Sequence, residues 1–343
     1  MTVKQRWLTV MLCMFTAMLL TGCGSSSPPK AQEMKKISVA MLRLTSSAPI
    51  FIGLEQGFFR AEGIEIEPQW FEAAHPIAVA TAADKVDIGA TGITASLFNL
   101  VAGGQSLTIV ADKGREQPGY SSSALMVTSE LWDKGIRRSE DLQGKRIGIT
   151  QTGSTYHYML GRILEAKGLS LKDVEVVPLT KISALMAALQ SKQLDGVILN
   201  EPNISRAVAD GYGKVLVQVG DIMDYQTSGI FFSPRLTKDR DLAVRFLKGY
   251  VRAVRYYHDA VLTRPAGQHY EEVIRIVAKY TGAPAEEVRQ GLPYMDRDGR
   301  LLASDIQTQI NWYKSQKMIE KAIDAGQVTN TALLEEAIRG VGP

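Results

Sequence analysis

Ile37-Ser38-Val39-Ala40-Met41-Leu42 and Lys145-Arg146-Ile147-Gly148-Ile149-Thr150 stand 108 residues apart, and each opens the same succession of elements. After the first apolar run comes a helix with Pro49 in its first turn and Ile50, Leu54 and Phe58 spaced along one face, punctuated by Gly57 and Gly63. Ile64, Ile66 and Pro68 begin an extended run, a short helix covers 73–83, and Asp87-Ile88-Gly89-Ala90 is a brief strand. After the second run, Tyr156, Met159, Leu160, Ile163 and Leu164 fall at helical spacing. Val174 to Val177 is extended, Ile182, Leu185, Met186 and Leu189 mark another helix, and Asp195-Gly196-Val197-Ile198 is again brief. Val39 falls opposite Ile147, Gly53 opposite Gly161, Ile66 opposite Val174 and Asp87 opposite Asp195. One shared offset across a whole strand–helix–strand–helix–strand unit predicts two similar α/β lobes with largely parallel sheets.

Ligands of open parallel sheets sit beyond the carboxyl ends of the strands. Applied to both copies, that rule selects Arg43 to Pro49 and Thr91 to Thr94 in lobe one, and Gln151 to Tyr156 and Leu199 to Pro202 in lobe two. These equivalent loops are expected to face each other across a cleft. Gly153, Ser154 and Thr155 precede the Tyr156 helix, whose free N–H groups suit an oxyanion; Ser154 as a plain N-cap is the competing reading. Arg43, Thr45 and Ser46 offer a cation and hydroxyls, and Arg43 is nearly as easily a solvated surface residue. Thr91, Gly92 and Thr94 hold the matching place, with Gly92 allowing close approach of a ligand to the backbone. Asn200 and Glu201 complete the set, Glu201 either accepting from a ligand N–H or capping the next helix. Tyr156 and His157 could stack a flat ligand, and Lys113 and Arg115 lie near the expected first crossover as hinge, rim or contact residues.

The N-terminus sets the compartment. Lys4 and Arg6 precede an apolar run from Trp7 to Leu20, too short for a comfortable span and suited to a signal h-region. It ends in Leu20-Thr21-Gly22-Cys23, which resembles the bacterial lipobox and implies cleavage after residue 22 and a lipid on Cys23. The only other cysteine, Cys13, lies in the segment to be removed, so the mature chain is expected to hold no disulfide. Residues 23–36, rich in Gly, Ser and Pro, read as a flexible tether. The 343 residues carry a formal net charge of +3, and two of those charges leave with Lys4 and Arg6. Near-neutrality gives no argument for nucleic acid.

Further stretches resemble a known family. Pro49-Ile50-Phe51-Ile52-Gly53-Leu54-Glu55-Gln56-Gly57-Phe58-Phe59 with Glu62-Gly63-Ile64 is similar to the SsuA/TauA/NMT1-like solute-binding proteins. So are Lys85-Val86-Asp87-Ile88-Gly89, Asp141-Leu142-Gln143-Gly144-Lys145-Arg146-Ile147-Gly148, and Leu194-Asp195-Gly196-Val197 with Glu201-Pro202. The resemblance runs over about residues 37–235. It implies a type II periplasmic binding fold, two α/β lobes joined by two crossovers with a helical C-terminal tail. Lobe 1 is then 37–113 plus 230–343, and lobe 2 is 114–229. It also implies an extracytoplasmic lipoprotein that serves an ABC-type permease and its ATPase. Relatives bind sulfonates, nitrate or thiamine-pyrimidine precursors, so the ligand is expected to be a small anion or such a heterocycle.

Two alternatives remain at this stage, an exported enzyme on the same fold and an envelope scaffold lipoprotein. The four histidines are scattered. No HExxH, CxxC, Walker A or strand-following GxGxxG occurs, so no metal, cofactor or catalytic residue is expected.

Overall fold

The computed structural model describes residues 34–263 and 265–342. The expected leader, Cys23 as the expected lipid attachment point and the expected tether up to residue 33 lie outside the described residues.

Ten strands form two five-stranded sheets. The first contains β1 (Lys35–Met41), β2 (Ile64–Trp70), β3 (Ile88–Gly92), β4 (Thr108–Glu116) and β10 (Tyr225–Phe232), in the order β2-β1-β3-β10-β4. The second contains β5 (Ser123–Thr128), β6 (Arg146–Ile149), β7 (Glu175–Pro178), β8 (Gly196–Asn200) and β9 (Gly213–Gln218), in the order β7-β6-β8-β5-β9. In each sheet four strands run in one direction, three of them paired in parallel, and one strand, β10 or β5, pairs antiparallel on both its sides.

The internal offset survives down to register. Ser38 pairs with Glu67 in the first sheet as Arg146 pairs with Glu175 in the second. Val39 pairs with Ile88 as Ile147 pairs with Gly196. The aspartates explain themselves. Asp87 accepts from the backbone N–H of Ser38 at 2.9 Å, and Asp195 from that of Arg146 at 2.8 Å, so each carboxylate satisfies an amide of the adjacent strand, β1 or β6. The paired glycines each admit an aromatic ring. A Cβ on Gly53 would stand 2.4 Å from Phe59 Cε2, and one on Gly161 would stand 2.2 Å from Trp312 Cζ2.

The chain crosses between sheets at 117–122 and returns at 219–224. β4 runs on to Glu116 and β10 begins at Tyr225, so 114–116 and 225–229 belong to the first sheet rather than to the second lobe. Both strands simply continue their ladder past the expected boundaries. Glu116 is fully buried at the first crossing and accepts from the hydroxyls of Ser121, Ser122 and Ser123 at 2.7, 3.0 and 2.5 Å. Asp112 accepts from Gln226 Nε2 at 2.6 Å and Asp296 N at 2.9 Å, which ties both crossing strands to the C-terminal region.

The C-terminal helices divide between the lobes. The long helix Arg240–Val261 buries Phe246, Tyr250 and Val254 against the first lobe. The helix Ala303–Ser315 instead packs Trp312 and Tyr313 onto the second-lobe helix Thr155–Glu165. Trp312 Nε1 donates to Glu165 at 2.8 Å, Tyr313 donates to the Ser154 carbonyl at 3.1 Å, and both rings contact Tyr158, that of Trp312 edge-on and that of Tyr313 tilted. Burying such side chains stabilises by about 1.5–3 kcal/mol each. The tail thus reaches beyond the first lobe, to which 230–343 had been expected to belong.

Candidate ligand-binding cleft

A cavity of about 590 Å³, its open mouth included, lies between the sheets. The first sheet contributes the loop after β1, the end of β3, and Lys113 and Gly114 near the end of β4. The second contributes Thr150 after β6, Thr155 and Tyr156 at a helix start, and Asn200 and Glu201 at the end of β8. Ser228 enters from β10.

Eight of the expected site residues gather on this lining: Thr45, Ser46, Thr91, Gly92, Thr155, Tyr156, Asn200 and Glu201. Four do not. Arg43 is exposed. It donates to the Tyr280 carbonyl at 2.7 Å and lies 4.0 Å over the Trp70 ring, so its side chain leaves the cavity. Thr94 accepts from Leu97 N at 3.3 Å as the N-cap of helix Ala95–Ala102. Ser154 accepts from His157 N at 3.2 Å as the N-cap of helix Thr155–Glu165, so its hydroxyl is occupied by the competing role weighed above. Gly153, with φ of 74°, packs against Ala95 of the opposite lobe on another face of the cleft. His157 also lies off the lining, and its Nδ1 accepts from Gly153 N at 3.1 Å. Burial pulls the His157 imidazole down to about 4, which keeps it neutral.

Lys113 is the cation of the cavity, and the loop-based reading left its role open. It is 1% exposed, donates to Ser46 Oγ at 2.9 Å and forms no ion pair among the described residues. Desolvation pulls its ammonium down to about 7, with the neighbouring Asp112 opposing. Two buried hydroxyls on the same lining, Thr91 Oγ1 and Ser228 Oγ, have no hydrogen-bond partner among the described residues. Buried polar groups normally find one. A half-charged amine and two unpaired hydroxyls converging on one cavity suit a ligand rich in acceptor oxygens. The opposing acid is Glu201, 5% exposed. Burial pushes it up to about 7 despite its bonds from Ser205 N and Oγ, both at 3.0 Å. The Asn200 amide is engaged with Ser123 Oγ at 2.6 Å.

The lobes touch around the cavity. Thr45 N donates to the Glu201 carbonyl at 3.3 Å, and Ala95 N donates to the Gly153 carbonyl at 2.9 Å. Gly92 meets Thr155 directly.

Residues 30–278 match the NMT1-like family. The chain belongs to that family. It is 31% identical over 194 residues to the taurine-binding periplasmic protein of Escherichia coli (strain K12), covering 55% of this chain and 57% of that one. It is 29% identical over 209 residues to a protein of the same strain named for binding aliphatic sulfonates, covering 61% and 60%. The matches thus span less than two thirds of either relative's length. Among solved structures, the periplasmic nitrate-binding protein NrtA of Synechocystis PCC 6803 aligns with a TM-score of 0.76 at 15% identity, covering 91% of this chain and 90% of that one. The alkanesulfonate-binding protein SsuA of Xanthomonas axonopodis pv. citri, bound to MOPS, aligns with a TM-score of 0.71 at 21% identity, covering 88% and 100%. NMT1-like membership and these neighbours give the periplasmic binding protein fold.

Proposed function

We propose that this NMT1-like protein is the extracytoplasmic solute-binding component of an ABC importer, and that it captures a small anion between its lobes. The observation that carries the reading is the buried Lys113 ammonium facing Ser46, Thr91 and Ser228 inside one inter-lobe cavity. An unpaired buried cation is costly, and an anionic ligand offsets that cost. The relatives named for taurine and aliphatic sulfonates support an organosulfonate over a pyrimidine. Isothermal titration with taurine, alkanesulfonates, nitrate and an aminopyrimidine tests the reading; binding of the pyrimidine alone overturns it.

The same reading makes the protein a lipoprotein held at the membrane through Cys23. A diacylglycerol with an amide-linked acyl chain supplies the two hydrophobic signals that stable anchoring needs. Cys23→Ser is expected to leave the protein soluble or unprocessed, and a processed variant still in the membrane fraction rejects the anchor.

One observation favours a second reading, an exported hydrolase. Ser46 Oγ and Lys113 Nζ stand 2.9 Å apart, the spacing of a nucleophile and its base. In that case Ser46 adds to an acyl carbonyl while its proton passes to Lys113 and on to the departing alcohol, and water then releases the acid. Incubation with p-nitrophenyl acetate decides: an acyl adduct on Ser46 supports the hydrolase, and its absence dismisses it.

A further inference from the structure

The apolar wall of the cavity is shared. Leu42, Leu44 and Ile182 line it, and the same three side chains line a second cavity of about 860 Å³, its open mouth included. Trp70, Phe71 and Met186 furnish the second cavity with large apolar surface, while Arg43 and Glu72 stand among its polar residues. Trp70 is 37% exposed, one of few large apolar side chains so placed among the described residues. Its ring is nonetheless held, with the Arg43 guanidinium 4.0 Å above it and the Phe51 ring at 6.1 Å. Arg43 itself is fixed by the Tyr280 carbonyl. An aromatic ring kept in place yet left open beside apolar neighbours is a surface made for a ligand rather than for the core. Both lobes build this second cavity, and Ser183 donates to Glu72 across it at 3.1 Å. Closure therefore assembles it together with the first.

Resting on the anion-binding reading above, we propose that the two cavities are one site in two parts, and that the ligand is an elongated organic monoanion. Its sulfonate or carboxylate head lies at Lys113, Ser46, Thr91 and Ser228. Its hydrocarbon or aromatic tail passes Leu42, Leu44 and Ile182 and lies on Trp70, Phe71 and Met186. An inorganic anion fills only the first part and gains nothing from the second. A tail gains affinity with each methylene it takes out of water.

The test is titration calorimetry, with tryptophan fluorescence alongside, on the full mature chain. The probes are nitrate, methanesulfonate, hexane-1-sulfonate, naphthalene-2-sulfonate and hexanoate. The long-tailed anions are expected to bind at least tenfold more tightly than methanesulfonate or nitrate. Comparing hexane-1-sulfonate with hexanoate identifies the head group. Trp70→Ala is expected to weaken hexane-1-sulfonate about tenfold and to leave methanesulfonate unchanged, whereas Lys113→Met weakens both. Trp70→Phe, which keeps an aromatic face, restores most of the loss and shows that misfolding is not its cause. Equal affinity for methanesulfonate and hexane-1-sulfonate, or no effect of Trp70→Ala, overturns the two-part site while the anion-binding reading stands. Failure of every anion to bind overturns both.

Discussion

A Cβ built on Gly92 would stand 2.6 Å from Thr155 Cγ2, so backbone of one lobe abuts a side chain of the other. Thr155 is buried and β-branched, and its χ1 has little freedom to yield. Gly92→Ala therefore acts on the approach of the lobes and not on either lobe's own packing. It is expected to weaken ligand binding about tenfold or more while the melting temperature of the free protein changes little. Small-angle scattering checks the cause: the variant stays expanded at saturating ligand where the parent contracts. A variant that contracts fully and binds normally dismisses this contact as a determinant of closure.

Ser154 and Thr155 separate under single substitution. Ser154→Ala removes the bond to His157 N and is expected to lower stability by about 1 kcal/mol with affinity intact. Thr155→Val keeps shape, removes a hydroxyl from the cavity lining, and weakens binding several-fold with stability nearly unchanged. A thermal melt and a titration on each variant decide. A loss of affinity in Ser154→Ala as large as that in Thr155→Val contradicts the assignment.

Affinity for an anion is expected to fall as pH rises through about 7. Lys113, drawn down to about 7, loses its charge over that range, and Glu201, pushed up to about 7, gains one. Both changes disfavour an anion in the cavity, so they add. Binding at pH 8 must then draw in protons, which appears as a dependence of the calorimetric enthalpy on the buffer's ionisation enthalpy. Glu201→Gln is expected to remove part of the slope and Lys113→Met most of it. A flat profile from pH 6 to 9 in the parent protein contradicts both assignments.

The same lysine governs the stability of the free protein. Below pH 7 the folded and unfolded states both carry its proton, and the full burial cost is present. Between 7 and the ordinary value of 10.5 the folded state sheds the proton while the unfolded state keeps it, so native stability rises with pH across that window. Lys113→Met, of similar length and uncharged, is expected to be more stable than the parent by on the order of a few kcal/mol at pH 7. The two should converge near pH 10.5. Denaturant melts at several pH values measure this, and a variant less stable than the parent at pH 7 overturns it.

The doubled unit was readable because its signals are local. An aspartate that receives an amide from the adjacent strand, and a glycine that admits a ring, recur at a fixed offset in both lobes. The cleft was half readable. The rule about carboxyl ends of parallel strands reached Thr45, Thr91 and Glu201, but Ser228 belongs to the antiparallel β10 and enters by its opposite end. Lys113 leaves a trace in the sequence: Ile109-Val110-Ala111 runs straight into Asp112-Lys113-Gly114, placing charges within one strand beside an apolar run. Arg43 and Ser154 were not decidable from spacing. A guanidinium can swing to either side of its backbone, and an N-cap hydroxyl occupies the same place whether or not a ligand is near.

Two of the contacts that join the lobes, Thr45 N to the Glu201 carbonyl and Ala95 N to the Gly153 carbonyl, are made by main chain alone. Side-chain replacement leaves those donors and acceptors in place. The lining can therefore be rewritten, a hydroxyl here or an aromatic there, without dismantling the joint that shuts over the cargo. Taste and grip are inherited separately, and a scaffold of this kind can change diet through a handful of substitutions while keeping its bite.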